Sequence, residues 1–370
     1  MAVSDTDPLI PFDRWLWELD DRALEALAVG GLARGASEAA VVLPQLTFLT
    51  VIASDEPAID VLRRRATGII DVRQSGDRGL IWSRLGSNDY IVAALPAGEV
   101  GVYHLTGSVP VTDSRWRRVE ESWVRAAAPK LAPVILNKRD FEAIGDALAE
   151  HGSVSVSRMA ARVLSDQSSY TRGWKGLLAR RPSHRQALRE ADDMLVRTLT
   201  LTVGNRLSIH LRREAGATFY KGDYDLFAAI VLHRLTVAAA ERRALLTGRE
   251  RKRSEPIRES IVMRLPEGTF LEHAASGDLL DSVTAVRGVQ VAVFHRNPYL
   301  HFTVTDYLDG SSYDVFVTED DRLRLLPGYR ASSGSLARVT DAIGEALGMV
   351  ELHAEAVEQI IPDEDFFGVT

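Results

Sequence analysis

The stretch HRNPYLHFTVTDYLDGSSYDVFVTED, residues 295–320, brings two histidines, four aspartates and three tyrosines together. Imidazole and carboxylate groups ligate zinc or iron, and either can move a proton near neutral pH. His295, His301, Asp306, Asp309 and Asp314 are therefore the candidate catalytic set, suited to a metal-dependent hydrolase or nuclease. Such a centre needs three convergent ligands. On a strand, residues an even number apart share a face. Tyr299, His301, Thr303, Thr305 and Tyr307 then lie opposite Leu300, Phe302, Val304 and Asp306. His301 and Asp306 are kept apart, and at best two ligands come from neighbouring positions. Asp309-Gly310 is a hairpin signal and Asn297-Pro298 marks the turn before it. A β-meander accounts for these residues, leaving Tyr299, His301 and Tyr307 as a polar aromatic row. Rows of this kind stack RNA bases on open sheets. Residues 259–370, however, hold 7 Lys and Arg against 19 Asp and Glu, a net −12 that repels a polyanion. That row is expected to face a protein partner.

The opposite charge sits just before it. Residues 154–258 hold 21 Lys and Arg against 10 Asp and Glu, a net +11. Within SSYTRGWKGLLARRPSHRQALR, residues 168–189, Tyr170 and Trp174 are interleaved with Arg172, Lys175, Arg180, Arg181, Arg185 and Arg189, and no acid interrupts them. Aromatic rings that stack and guanidiniums that fork onto phosphate are what nucleic-acid binding uses. Arg249, Arg251, Lys252 and Arg253 add a second cationic cluster. Alternatively, these arginines pair with the acidic segments on either side.

Catalytic motifs are absent. There is no phosphate loop, no GxGxxG opening a helix, no GxSxG elbow, no HExxH and no calcium loop. The chain has no cysteine, which removes disulfides, thiolate nucleophiles and iron–sulfur ligands and suits a reducing cytoplasm. FYKGDYDLF, residues 219–227, places Lys221, Asp223 and Asp225 together, but Asp223 is more simply a helix cap. The acidic, proline-containing start lacks the basic and apolar runs of a signal peptide, and Pro44 and Gln45 interrupt the longest apolar stretch.

These residues must be positioned by short elements. Leu16, Leu19, Ala23 and Leu27 predict a helix over 13–28. Four β-rich runs between residues 66 and 107 predict an antiparallel meander, since no helix-length segment separates them. Trp116, Val119 and Trp123 mark one face of a helix over 113–127; Phe141, Ile144 and Leu148 mark another over 139–152. Residues 153–164 read as a short helix behind a Ser-rich turn, loosely like a helix-turn-helix, and 183–203 as a long helix. A strand pair over 206–222 and a long helix from Asp223 to Gly248 follow. Beyond these lie a helix (277–287), strands (289–295, 299–307, 312–318, 322–326) and a closing helix (334–347).

The expectation is an α+β protein with mainly antiparallel short-stranded sheets and packed helices, in two or three domains: 1–153, a basic 154–247, a linker over 248–258, and an acidic 259–370. It is expected to be cytoplasmic, without cofactor, metal or membrane span. The leading functional expectation is a non-catalytic, nucleic-acid-associated accessory protein. The alternatives are a protein-interaction subunit of a multi-component defence, repair or secretion system, and the hydrolase or nuclease above.

Overall fold

The computed structural model describes residues 9–164, 168–175, 180–191, 194–214, 216–249, 259–271, 273–296, 300–328 and 330–357. It is an α+β fold with two antiparallel sheets.

Helices α1 (Pro11–Glu18), α2 (Asp21–Ala26) and α3 (Leu32–Glu38) open the chain. The helix expected over 13–28 is two helices, because Leu19 is extended and Asp20 starts the second by accepting the Ala23 amide at 2.7 Å. The fully buried strand β1 (Leu46–Ala53) and helix α4 (Ala58–Arg65) come next. The expected meander then follows as β2 (Ile69–Ser75), β3 (Arg78–Leu85), β4 (Asn88–Pro96) and β5 (Val102–Gly107). Helix α5 (Ser114–Arg118) continues through a π-helical turn (Val119–Arg125), and Trp116, Val119 and Trp123 are fully buried as their spacing predicts.

After the short β6 (Leu131–Pro133), helix α6 (Lys138–Ala149) is held by a capping box between Asn137 and Asp140. The chain then runs through β7 (Val154–Val163), β8 (Ser169–Gly173), α7 (His184–Arg189), β9 (Met194–Val203), β10 (Leu207–Arg212) and β11 (Gly216–Gly222). Helix α8 (Tyr224–Leu226) passes through a second π turn (Phe227–Leu232) into α9 (His233–Leu246).

Two expectations fail here. Residues 154–163 form a strand, so this segment is not the second helix of a helix-turn-helix, and the long helix expected over 183–203 is α7 followed by strand β9. The reason is legible afterwards: Leu199, Leu201 and Val203 are buried while Thr198, Thr200 and Thr202 are half-buried, a period of two carried by β-branched residues.

Strand order in the large sheet is β2-β3-β4-β5-β1-β11-β10-β9-β7-β8, with β6 also on β1. Strand β1 is thus flanked by a four-stranded meander, β2-β3-β4-β5, and a three-stranded one, β9-β10-β11, each leading into a helix with a π turn. Because β1 pairs with β11, segments 1–153 and 154–247 share one sheet, and one hydrophobic core runs through both. Helix α4 and the α5 segment cover one face of β1 through β5; helices α1, α3, α6 and α8–α9 lie against the other side of the sheet.

The acidic segment forms a second sheet, β13-β14-β15-β16-β12-β17, from β12 (Glu259–Arg264), β13 (Val289–His295), β14 (His301–Asp306), β15 (Ser311–Glu319), β16 (Arg322–Pro327) and β17 (Glu351–Ala356). Helices α10 (His273–Thr284) and α11 (Ser333–Leu347) pack on one face. The helix–meander–helix pattern matches expectation; the flanking strands β12 and β17 were not anticipated. Residues 250–258 of the expected linker lie outside the described residues. The two units touch where α11 meets α9 and β6, and Ala132 and Leu246 of the first unit enter the second core. Arg197 pairs with Glu345 at 3.0 Å and Arg139 with Glu351 at 2.8 Å across this junction.

Candidate interaction sites

The His/Asp set of the opening stretch does not converge. Asp306 is fully buried beneath β14, where it accepts from Leu308 N, Ser335 Oγ and Arg338 Nη1 at 3.0, 2.7 and 2.8 Å. His301 and Asp314 lie on the outer face, with His301 Nε2 4.0 Å from Asp314 Oδ1. Asp309 caps the hairpin, accepting from Ser311 N at 2.9 Å and from the Ser332 hydroxyl. His295 is exposed and sits opposite His301 across a register shift. The alternation read from sequence holds: Phe302, Val304 and Asp306 are 0% exposed, while His301, Thr303 and Thr305 are half-buried. Among the described residues, no three His, Cys, Asp or Glu side chains are grouped to hold a metal ion.

The outer face instead carries an aromatic row. His301 stacks on Phe316 with ring centroids 4.1 Å apart, and Phe294 closes on His301 at 5.1 Å. Phe294 is 62% exposed and Tyr307, at the end of β14, 66%. Tyr299 lies outside the described residues. Phe294 and Phe316 were missed because the sequence reading followed polar aromatics only; the register β13-β14-β15 aligns them with His301.

The basic segment is divided. Tyr170 and Trp174 are half-buried and pack against the large core. Arg172 lies over the Trp174 ring at 5.2 Å and pairs with Glu190 at 2.6 Å. Arg185 grips Asp146 through two bonds of 2.7 and 2.8 Å, while His184 Nε2 meets the same carboxylate at 2.7 Å. These contacts, led by Arg185, pull the Asp146 carboxyl down to about 2. Arg181 is half-buried; Lys175, Arg180 and Arg189 are exposed, and Arg189 also bonds the Arg185 carbonyl at 3.3 Å. Arg249 is paired with Glu259 at 3.2 Å; Arg251, Lys252 and Arg253 lie outside the described residues. Part of the charge asymmetry is therefore spent between units, where Arg197 pairs with Glu345 and Arg249 with Glu259; Arg162 also donates to the Glu345 carbonyl there.

Three polar features escaped the sequence reading. A cleft of about 640 Å³ lies between the α5 π turn, β6, α10 and α11, lined by Glu120, Arg125, Arg162, Glu214, Arg338 and Asp341 among apolar residues. In the wall of this cleft Asp341 is half-buried, and desolvation pushes its carboxyl up to about 8, against the opposing pull of Arg213 and Arg242. Arg213 is pushed down to about 10, chiefly by its own burial. Second, a row of polar side chains crosses one face of the large sheet in register, from exposed Arg158 through half-buried Thr200 and His210 to fully buried Thr218 and Thr47. His210 Nδ1 meets Thr200 Oγ1 at 2.9 Å, and burial, then Arg212 and Arg158, push its pKa down to about 4. Third, His104 is buried between Thr50 and Thr236, each 3.0 Å from one ring nitrogen. Thr236 donates its own proton to the Leu232 carbonyl, so it accepts from His104 Nε2–H and leaves Nδ1 to accept from Thr50. The imidazole is neutral and satisfied. His104 and His210 are each a single histidine in its strand, and only the tertiary structure shows the company they keep.

No protein-family model matches this chain, and no curated protein matches it in sequence. No helix among the described residues is long and apolar enough to cross a membrane.

Proposed function

We propose that this protein is a non-catalytic adaptor that holds another protein on the outer face of its six-stranded sheet. The observation behind this reading is the aromatic row Phe294, His301 and Phe316 on the face turned away from α10 and α11; Tyr307 adds an exposed ring just past the other end of β14. Exposed aromatics grouped on one face favour a protein contact, because leaving them in water forgoes burial worth roughly 25 cal/mol per Å². Asp306 lies on the opposite face of the sheet from His301 and Asp314, and the hydrolase reading called for at least three of its five His and Asp residues in one cleft, so the adaptor reading is the better supported. The test is affinity purification of the full chain from its own cells, followed by recombination with the purified partner. A chain carrying Phe294→Asp and Tyr307→Asp should lose a partner that the wild type retains. Equal retention by both would end the reading.

A second reading is association with nucleic acid, favoured by the exposure of Lys175, Arg180 and Arg189 around one end of the large sheet. Contacts of this kind go to phosphate, so affinity should fall steeply with salt, by roughly one unit of log–log slope per contact. Fluorescence anisotropy with short DNA and RNA at low salt decides it: absence of binding there excludes it.

A further inference from the structure

We infer that the edge strand β8 is a docking site for an extended acidic peptide, which adds to the large sheet as a further strand. Among the described residues, strand β8 ends the strand order and pairs with β7 alone. The Val163 amide donates to the Ser168 carbonyl and the Trp174 amide to the Ser157 carbonyl, both at 2.9 Å. In an antiparallel pair, hydrogen-bonded positions alternate with positions whose backbone points away. With 163 bonded to 168 and 157 to 174, the backbones of Tyr170 and Arg172 face β7, while those of Ser169, Thr171 and Gly173 point outward. Four of the five β8 residues are exposed. This is the template that strand addition uses, with main-chain bonds supplying affinity and side chains supplying choice.

The charge around the edge selects the occupant. Arg172 on β8 is paired with Glu190; Lys175 just after β8, exposed Arg158 opposite Gly173 on β7, and exposed Arg189 at the end of α7 supply the further positive charge. A second copy of β8 would set these cations against one another, and like charges across strands repel. An acidic strand is attracted instead. A nucleic acid fits less well: Tyr170 and Trp174 are half-buried against the core and Trp174 is already covered by Arg172, so neither offers a free ring for a base. Alternating amides and carbonyls also match a strand, whereas a phosphate backbone accepts but cannot donate.

The probe is a fluorescein-labelled alternating Glu-Val peptide, with a Lys-Val peptide and oligo-dT as comparisons, read by anisotropy on the full chain. The Glu-Val peptide should bind saturably, and more weakly as salt rises; the Lys-Val peptide should not bind. Thr171→Pro removes an outward amide without touching the β7 ladder, so the fold should survive and affinity should fall by about tenfold or more. Lys175→Glu should weaken binding severalfold. Independently of any variant, hydrogen exchange at the Ser169, Thr171 and Gly173 amides should slow on adding the peptide. Unchanged exchange there, undiminished affinity in folded Thr171→Pro, or binding of oligo-dT in place of the acidic peptide would each overturn the assignment. The Phe294→Asp, Tyr307→Asp chain should bind the peptide as the wild type does, so the two interaction readings fail separately.

Discussion

Arg338 Nη1 donates to Asp306 Oδ2 at 2.8 Å, a nearly dry ion pair that ties helix α11 to the end of strand β14. Ser335 Oγ and Leu308 N share the same carboxylate, so all of its bonds hold structure. Removing one partner of a buried pair strands the other. Asp306→Ala should therefore cost about 3–5 kcal/mol of stability, measured as a lower midpoint in urea. A loss below about 1 kcal/mol would show the pair to be dispensable.

His104 makes the protein acid-sensitive. Burial pushes its pKa down to about 4, from 6.5 for an unburied histidine. The unfolded chain takes up this proton near 6.5 and the folded chain only near 4, so stability present above pH 6.5 is lost as pH falls toward 4. The slope is about 1.4 kcal/mol per pH unit for each such site. His210 behaves alike, its pKa also pushed down to about 4. Urea midpoints taken between neutrality and pH 5 should fall for the wild type, less for His104→Gln, and least when His210 is replaced as well.

Asp341 works in the other direction. Its folded carboxyl holds a proton up to about 8, against an ordinary value of 3.8. Stability from this group is fully present below the unfolded value and is lost as pH rises through 8. Asp341→Asn should therefore gain on the wild type steadily from acid to mildly alkaline pH, then level off. Thermal melts of the two chains across that range would reveal it; a constant difference would show that Asp341 does not titrate there.

The contact between the units has no room at Gly334. A methyl group there would land on the Pro129 carbonyl oxygen, which belongs to the backbone and cannot swing aside. Gly334→Ala should cost about 1–3 kcal/mol and loosen α11 from the large sheet. Trypsin should cut first within 248–258, and the two wild-type fragments should still co-elute on a sizing column. Fragments of Gly334→Ala should separate. Resistance of 248–258 with cleavage elsewhere would contradict the boundary.

Much of this protein was legible in residue order alone. The meander over 69–107, the buried face Trp116–Val119–Trp123, the cap at Asp223 and the opposed faces of β14 all follow from periodicity and turn chemistry, which act over a few residues. The α+β class follows from the same signals. Local patterns failed where two periods competed: MLVRTLTLTV contains apolar residues enough for a helix, and only pairing with β7 and β10 makes its alternation decisive. What tertiary structure alone decided is company. Strand β1 joins two halves that the sequence divides at 153/154, because β11 arrives from the far half to hydrogen-bond it. Arg172 and Arg185 read equally as phosphate-binding cations or as ion-pair partners until Glu190 and Asp146 are brought to them from other elements. Phe294 becomes part of an aromatic row only through strand register. Charge and shape between distant residues depend on distances in space, and residue order does not carry those distances.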